Sequence, residues 1–406
     1  MPRPIFFAFL VVTLDAMGAG LIFPVLPELL SQVFTAQTGD SIARDSTLVT
    51  LSGGILSFSF ALMMFAFGPV LGSLSDHFGR QRVIFIAMLV MAFDYVLMAV
   101  TPFFWVLLVG RILTGIAGGS YTSAFAIAAD VGDARSRPRY FGLISSGLGL
   151  GFILGPIIGG LVGEMNPRLP FWIAAGLTGL AAVLSLTFYQ ETLPAEARRT
   201  FTWAESNPLS VVARIRANVP LRAFLVVIFV FSVGETIYET IWHFYGTKAF
   251  GWSPWDISVS LVVFGAGMAA VQGGLAGPII NRFGALTVTL WAMGLSCLSL
   301  FSLTLVTQTW QVYALMPLMW VSGLSMPGMQ SYLSNRTQPS RQGELQGILA
   351  SIGSAALILA PLYGTTALAW ATAPGAPWFW PGAPFAVALV FCLTAWELLR
   401  RAVQKL

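Results

Sequence analysis

Residues 234–245 read G-E-T-I-Y-E-T-I-W-H-F-Y, and in them two carboxylates and an imidazole recur every four residues, Glu235, Glu239 and His243. On a helix, side chains four apart stand one above another on the same face. Two carboxyl groups that close in an apolar surrounding do not both ionise cheaply, so one holds a proton that it can release. The same ladder attracts a cation. Three more ionisable residues stand singly in long apolar runs: Asp15, Asp94 and Arg111. A charge at the centre of a bilayer costs roughly 2.5–3.5 kcal/mol on the insertion scale, so such residues mark proton, ion or substrate paths. Asp15, Asp94, Arg111, Glu235 and Glu239 are therefore the candidates for proton exchange, with His243 beside them on the substrate path. Plainer readings stand next to these: a static ion pair of Asp94 with Arg111, a neutral Asp15 held by local hydroxyls, and a water-facing stripe in 234–245.

The segments that carry these residues are membrane spans. Of 406 residues, 56% are hydrophobic and 9% charged, against about 25% charged in soluble domains. A crossing helix needs about 20 mostly apolar residues. Twelve stretches qualify: 5–34, 47–75, 83–101, 104–129, 140–163, 170–190, 221–246, 255–280, 285–306, 310–334, 345–370 and 382–401. The expected fold class is an all-α membrane protein of twelve transmembrane helices. Its longest polar break, 191–220, divides the chain into a six-helix half at 1–190, a cytoplasmic linker and a second six-helix half at 221–406.

Lys and Arg gather in loops that stay cytoplasmic. With the N-terminus inside, Arg44, Arg168 and Lys248 fall outside, Arg111 lies within span 4, and the remaining seventeen of 21 basic residues are cytoplasmic. Both termini are thus expected in the cytoplasm. The net charge of +4 is a topology signal and points to no nucleic acid. Cys297 and Cys392 both sit in apolar runs, so neither a disulfide nor a metal framework is indicated. The methionines of span 10 (Met316, Met319, Met326, Met329) suit irregular packing gaps more than soft-metal transport. No cofactor is expected. No cleavable leader is visible, because the first apolar run is long and lacks a small-residue cleavage site behind it.

The halves repeat. At a spacing of 205 residues Gly72, Asp76 and Gly79 fall on Gly277, Asn281 and Gly284, and Asp130, Gly142, Ser146 and Pro156 fall on Asn335, Gly347, Ser351 and Pro361. Internal repeats of this kind build many secondary transporters, with the substrate site between them near the midplane. Residues 72–82, G-S-L-S-D-H-F-G-R-Q-R, form the short turn between spans 2 and 3, where Gly79 permits a turn without a Cβ clash. Span 5 carries glycines at 147, 151, 155, 159 and 163, leaving one face nearly bare for a neighbouring helix, with Pro156 adding a bend.

These strings resemble the major facilitator superfamily, and within it the drug:proton antiporters. The turn 72–82 is similar to the loop 2–3 signature, G-x-L-x-D-x-x-G-R-x-R, which implies a conformational latch formed by Gly72, Asp76, Gly79 and Arg80; the plainer reading is a positive-inside anchor. In span 4, G-R-I-L-T-G-I-A-G-G is similar to the segment with the family's buried arginine, here Arg111. In span 5, G-L-G-L-G-F-I-L-G-P-I-I-G-G is similar to the antiporter signature, with Gly151, Gly155, Pro156 and Gly159. The tetracycline/proton antiporter family is the nearest likeness, through L-D-A-M-G-A-G-L-I-F-P-V-L-P in span 1, the span 5 string and Q-G-E-L-Q-G before span 11. That resemblance gives Asp15, Asp94 and Arg111 the roles of its buried acids and arginine, and places Gln272 on the substrate path. Three departures stand out: the family's acid in span 9 is missing from 285–306, Met268 occupies its span 8 histidine position, and the family lacks the glutamate pair of span 7.

The resemblance implies a major facilitator fold of two six-helix pseudo-repeats and a monomeric, multi-pass protein of the bacterial inner membrane. The implied activity is efflux of a lipophilic, cationic or metal-chelated small molecule, such as tetracycline, in exchange for protons. A proton-coupled importer of a metabolite or metal complex is the alternative on the same fold. No enzyme is expected, since the chain has no nucleophile elbow, metal cluster or phosphate loop.

Overall fold

A computed structural model describes residues 2–118, 120–132, 136–187, 191–193, 196, 198, 207, 221–338 and 342–404. Most of the expected linker lies outside the described residues, as do Arg135, Arg199, Arg214, Arg216, Arg341 and Lys405 of the basic set. Among the described residues all regular structure is helical. The first seven helices are α1 (Arg3–Thr38), α2 (Thr47–Phe78), α3 (Arg80–Val100), α4 (Phe104–Ala117), α5 (Ser120–Val131), α6 (Arg137–Gly163) and α7 (Leu169–Thr187). After them come α8 (Arg222–Glu235), α9 (Ile237–Phe250), α10 (Pro254–Ala270), a π-helical turn (Val271–Leu275), α11 (Ala276–Phe283), α12 (Ala285–Thr304), α13 (Thr309–Ser322), α14 (Ser325–Asn335), α15 (Gln342–Ala371) and α16 (Ala383–Val403).

Ten of the described helical segments are long and apolar enough to cross a membrane. The two remaining apolar stretches, spans 4 and 10, are each divided: α4 and α5 part at Gly118, α13 and α14 at Gly323 and Leu324. Span 7 is also interrupted, at Thr236 between α8 and α9, and span 8 contains the π-helical turn. Backbone of this kind is tolerated at membrane depth only where protein or a water-filled cavity satisfies it.

The repeat is written in the helix ends. Gly79 joins α2 to α3 with φ +99° and ψ 153°, and Gly284 joins α11 to α12 with φ +84° and ψ 145°. Both lie in a region that L side chains rarely adopt. The starts of α6 and α15, Arg137 and Gln342, keep the same 205-residue spacing.

Contacts divide the chain into two units. The first comprises Met1–Arg44, Ser59–Pro208 and Ser253–Val262; the second comprises Asp45–Phe58, Leu209–Trp252 and Val263–Leu406. Inside the first unit α6 lies against α1 with almost nothing between the backbones. A Cβ on Gly151 would stand 2.5 Å from the Thr13 carbonyl oxygen, one on Gly155 2.5 Å from that of Met17, and one on Gly159 2.7 Å from that of Leu21. A Cβ on Gly20 would stand 2.8 Å from the Cδ of Pro156. In the same unit Arg168 donates to the carbonyls of Ala99 (3.1 Å) and Thr101 (2.9 Å), closing the C-terminal end of α3. Partial burial holds the Arg168 guanidinium below its usual range.

Inside the second unit α8 packs on α16 at Gly234, where a Cβ would lie 2.9 Å from the Ala388 carbonyl. The indole of Trp396 ties α16 to α12 by donating to the Leu290 carbonyl at 3.0 Å.

Candidate functional site

In the first unit the site is built on α3 and α4. Asp94 is fully buried, and one carboxylate oxygen, Oδ2, takes both its ion pair with Arg111 and a 2.8 Å hydrogen bond donated by Thr114. Arg111 and Thr114 are three apart on α4, which puts both on the face turned to α3. The other oxygen, Oδ1, faces Gly110, whose missing side chain leaves room for it. Neither Oδ1 nor the Arg111 Nε has a hydrogen-bond partner among the described residues. The guanidinium also lies over the Phe60 ring, 5.8 Å from its centroid, a position that favours a cation.

The next residue, Tyr95, is buried with its ring against Gly18 of α1, and it interacts electrostatically with Asp15. Asp15 itself is half-buried, next to the stretch of α1 that rests on Gly151 and Gly155. The structure therefore brings Asp94, Arg111 and, through Tyr95, Asp15 into one neighbourhood.

A second cluster surrounds the turn between α2 and α3. Arg80 bridges Asp76 at 2.5 Å and Asp130 at 3.1 Å, and donates to Ser75 at 3.0 Å. The Glu191 carboxylate accepts the backbone N–H groups of Arg80 (3.0 Å) and Gln81 (3.2 Å), the free donors at the start of α3. Sequence reasoning missed both Asp130 and Glu191 as partners. Glu191 is 111 residues from its target; the only available signal is that an uncapped helix start attracts a carboxylate. Gly79 is crowded by the Glu191 carboxylate, whereas Gly72 faces open space.

In the second unit, α8 ends at Glu235 because Thr236 leaves the helix. The Thr236 N–H and hydroxyl both return to the Ser232 carbonyl, at 3.0 and 2.9 Å. Tyr363 of α15 donates to the carbonyl of Val233 at 2.7 Å. Glu235 is half-buried and accepts a hydrogen bond from Ser296 of α12. Glu239 interacts with Glu235 but is exposed, and His243 is buried against the Phe244 ring. The three rungs of the expected ladder thus occupy three environments, with the Thr236 turn between the first and second. Gln272 lies elsewhere in the unit. It sits in the π-helical turn and donates to the Gly323 carbonyl at 3.1 Å, where span 10 is broken. No cluster of three His, Cys, Asp or Glu suited to a metal occurs among the described residues.

Comparison with known proteins gives this arrangement its family. The family model for the Major Facilitator Superfamily matches residues 8–361 and 247–405. The class C tetracycline resistance protein of Escherichia coli is 36% identical over 390 residues, covering 96% of this chain and 94% of that protein. The class G tetracycline resistance protein of Vibrio anguillarum is 35% identical, covering 97% and 96%. Among solved structures, that of the human organic anion transporter MFSD10 (TETRAN) matches with a TM-score of 0.72 at 23% identity, covering 98% of this chain and all of that one; a likeness at that identity speaks to the fold. The chain is a multi-pass membrane protein that belongs to the Major Facilitator Superfamily, a family of transporters and not of enzymes, alongside the tetracycline resistance proteins.

Proposed function

We propose that this chain is a proton-coupled antiporter that exports a lipophilic, cationic or metal-chelated small molecule of the tetracycline kind across the bacterial inner membrane by alternating access. Both termini face the cytoplasm, and a monomer is the working unit, because one chain supplies a coupling cluster in each half. The halves, 1–190 and 221–406, are joined by the linker 191–220, and the Asp76–Arg80 turn latches and releases as they rock.

The observation that carries this reading is an apolar-embedded carboxyl group in each unit, Asp94 in the first and Glu235 in the second. Relatives named tetracycline resistance proteins, aligned over nearly the whole chain, support the substrate class. A carrier of this type loads a proton on a buried carboxyl from one side and gives it up to the other. Asp94 has Arg111 as its counter-charge, so protonating Asp94 releases Arg111 to interact with a substrate or with water. Proton entry supplies about 2.3 kcal/mol per 100 mV of membrane potential, sufficient for a substrate gradient of several tens-fold.

Inverted membrane vesicles with an acid interior test the proposal. Adding tetracycline with Mg²⁺, or another compound of a broad drug panel, is expected to collapse part of the proton gradient. A gradient unmoved by the whole panel contradicts it.

A further inference from the structure

Span 9 of this chain carries no carboxylate, yet a carboxylate is delivered to it. Ser296, near the middle of α12 and with no exposed surface, donates its hydroxyl to Glu235, the last residue of α8. The delivery is built from backbone. Thr236 terminates α8, Tyr363 holds the carbonyl of Val233 two residues before Glu235, and Gly234 brings that turn against α16. The helix end that bears Glu235 is therefore fixed from two neighbouring helices, and the carboxyl group is aimed at the third.

Ser296 bonds to it, and the groups that interact with it electrostatically are Tyr238 and Glu239 from span 7, Cys297 from α12, Tyr363 from α15 and Cys392 from α16. Among these there is no cation. Asp94 in the first unit has an arginine to balance it; Glu235 has a hydroxyl.

We propose that Ser296 is a positioning residue for proton exchange in the second half: it orients Glu235 and stabilises its ionised form in place of a basic partner. This rests on the antiporter reading above. The hydroxyl serves both protonation states, because it donates to the carboxylate and accepts from the acid while keeping its own proton. The proton that binds Glu235 arrives from water and leaves to water. Removing the hydroxyl takes the partner from both states, and the carboxylate loses the stronger, charge-assisted bond.

Infrared difference spectroscopy on the purified full-length protein, titrated with pH, reads this without any substrate. The carboxyl C=O band that disappears in Glu235→Gln belongs to Glu235. Ser296→Ala is expected to change the frequency of that band and to move its titration midpoint by roughly 0.5–1 pH unit, the size of one net hydrogen bond. Ser296→Thr, which keeps the hydroxyl, is expected to leave both where they are in the parent. Vesicle transport of tetracycline–Mg²⁺ supplies a second arm, in which the double variant Glu235→Gln/Ser296→Asp regains activity lost in Glu235→Gln by presenting a carboxylate from the other helix.

An unchanged band and midpoint in Ser296→Ala, or no titrating band lost in Glu235→Gln, overturns the proposal. If the band behaves as expected while the parent moves no drug, the antiporter reading has failed and this one has not.

Discussion

At the scale of single residues, the buried pair of Asp94 and Arg111 has a property that can be measured apart from transport. Both charges are out of water, and each is tolerable only because of the other. Removing one partner of such a pair costs about 3–5 kcal/mol, while replacing both with apolar groups is often neutral. Asp94→Ala is therefore expected to lower the thermal melting point of the detergent-purified protein markedly, and Asp94→Leu/Arg111→Leu to recover most of that loss. A double variant as unstable as the single one would show that the two charges do not support each other. Thr114 adds the smaller part. Thr114→Val removes one donor from Oδ2 and is expected to cost about 1 kcal/mol or somewhat more, with Thr114→Ser close to the parent.

Among helices, close packing makes equally specific demands. Gly149 and Gly151 are two residues apart on α6, but only Gly151 sits on the α1 backbone, and a Cβ on Gly149 meets nothing within 4 Å. Gly151→Ala is expected to destabilise by about 1–3 kcal/mol through overpacking, and Gly149→Ala to be neutral or mildly stabilising, as measured by thermal unfolding. The two inter-helix glycines form a second pair. Alanine at Gly79 or Gly284 forces the same strained φ, worth about 1–3 kcal/mol. At Gly79 it also strikes the Glu191 carboxylate that caps α3, while at Gly284 the space is open apart from Thr287 at 4.0 Å. Gly79→Ala is expected to be the more damaging of the two in melting and in transport.

Apolar length and glycine spacing are local, so the spans around Asp15, Asp94 and Glu235 and the bare face of α6 could be read directly. The interruptions at Gly118, Thr236 and Gly323 could not, because hydrophobicity continues through them; at Thr236 and Gly323 side chains from other helices take up freed backbone groups. The partners Glu191 and Ser296 were out of reach for the same reason. They are 111 and 61 residues from the groups they serve, and no periodicity links segments that far apart.

Across the whole molecule, the two sequence copies share their inter-helix glycine turns and differ in charge. The first loop has Asp76 and Arg80 held together with Asp130; in the second copy the acids have become Asn281 and Asn335, and Arg282 stacks over Phe283 at 5.3 Å. An asymmetric pair of loops predicts an asymmetric response. Asp76→Asn is expected to reduce turnover strongly, and Asn281→Ala to leave it near the parent value, in vesicle transport at matched protein amounts.

The two carboxyl groups differ in the same way, with an arginine opposite Asp94 and a serine opposite Glu235. On the antiporter proposal, both carboxyl groups are kept in the membrane because their protons come and go with the cargo. Substrate-driven proton movement in liposomes reconstituted with the purified protein tests it most directly. With tetracycline–Mg²⁺ applied against a pre-set pH gradient, the parent is expected to move protons opposite to the drug, and Glu235→Gln and Asp94→Asn to move none. Drug-coupled proton flux that persists undiminished in both variants would contradict the account.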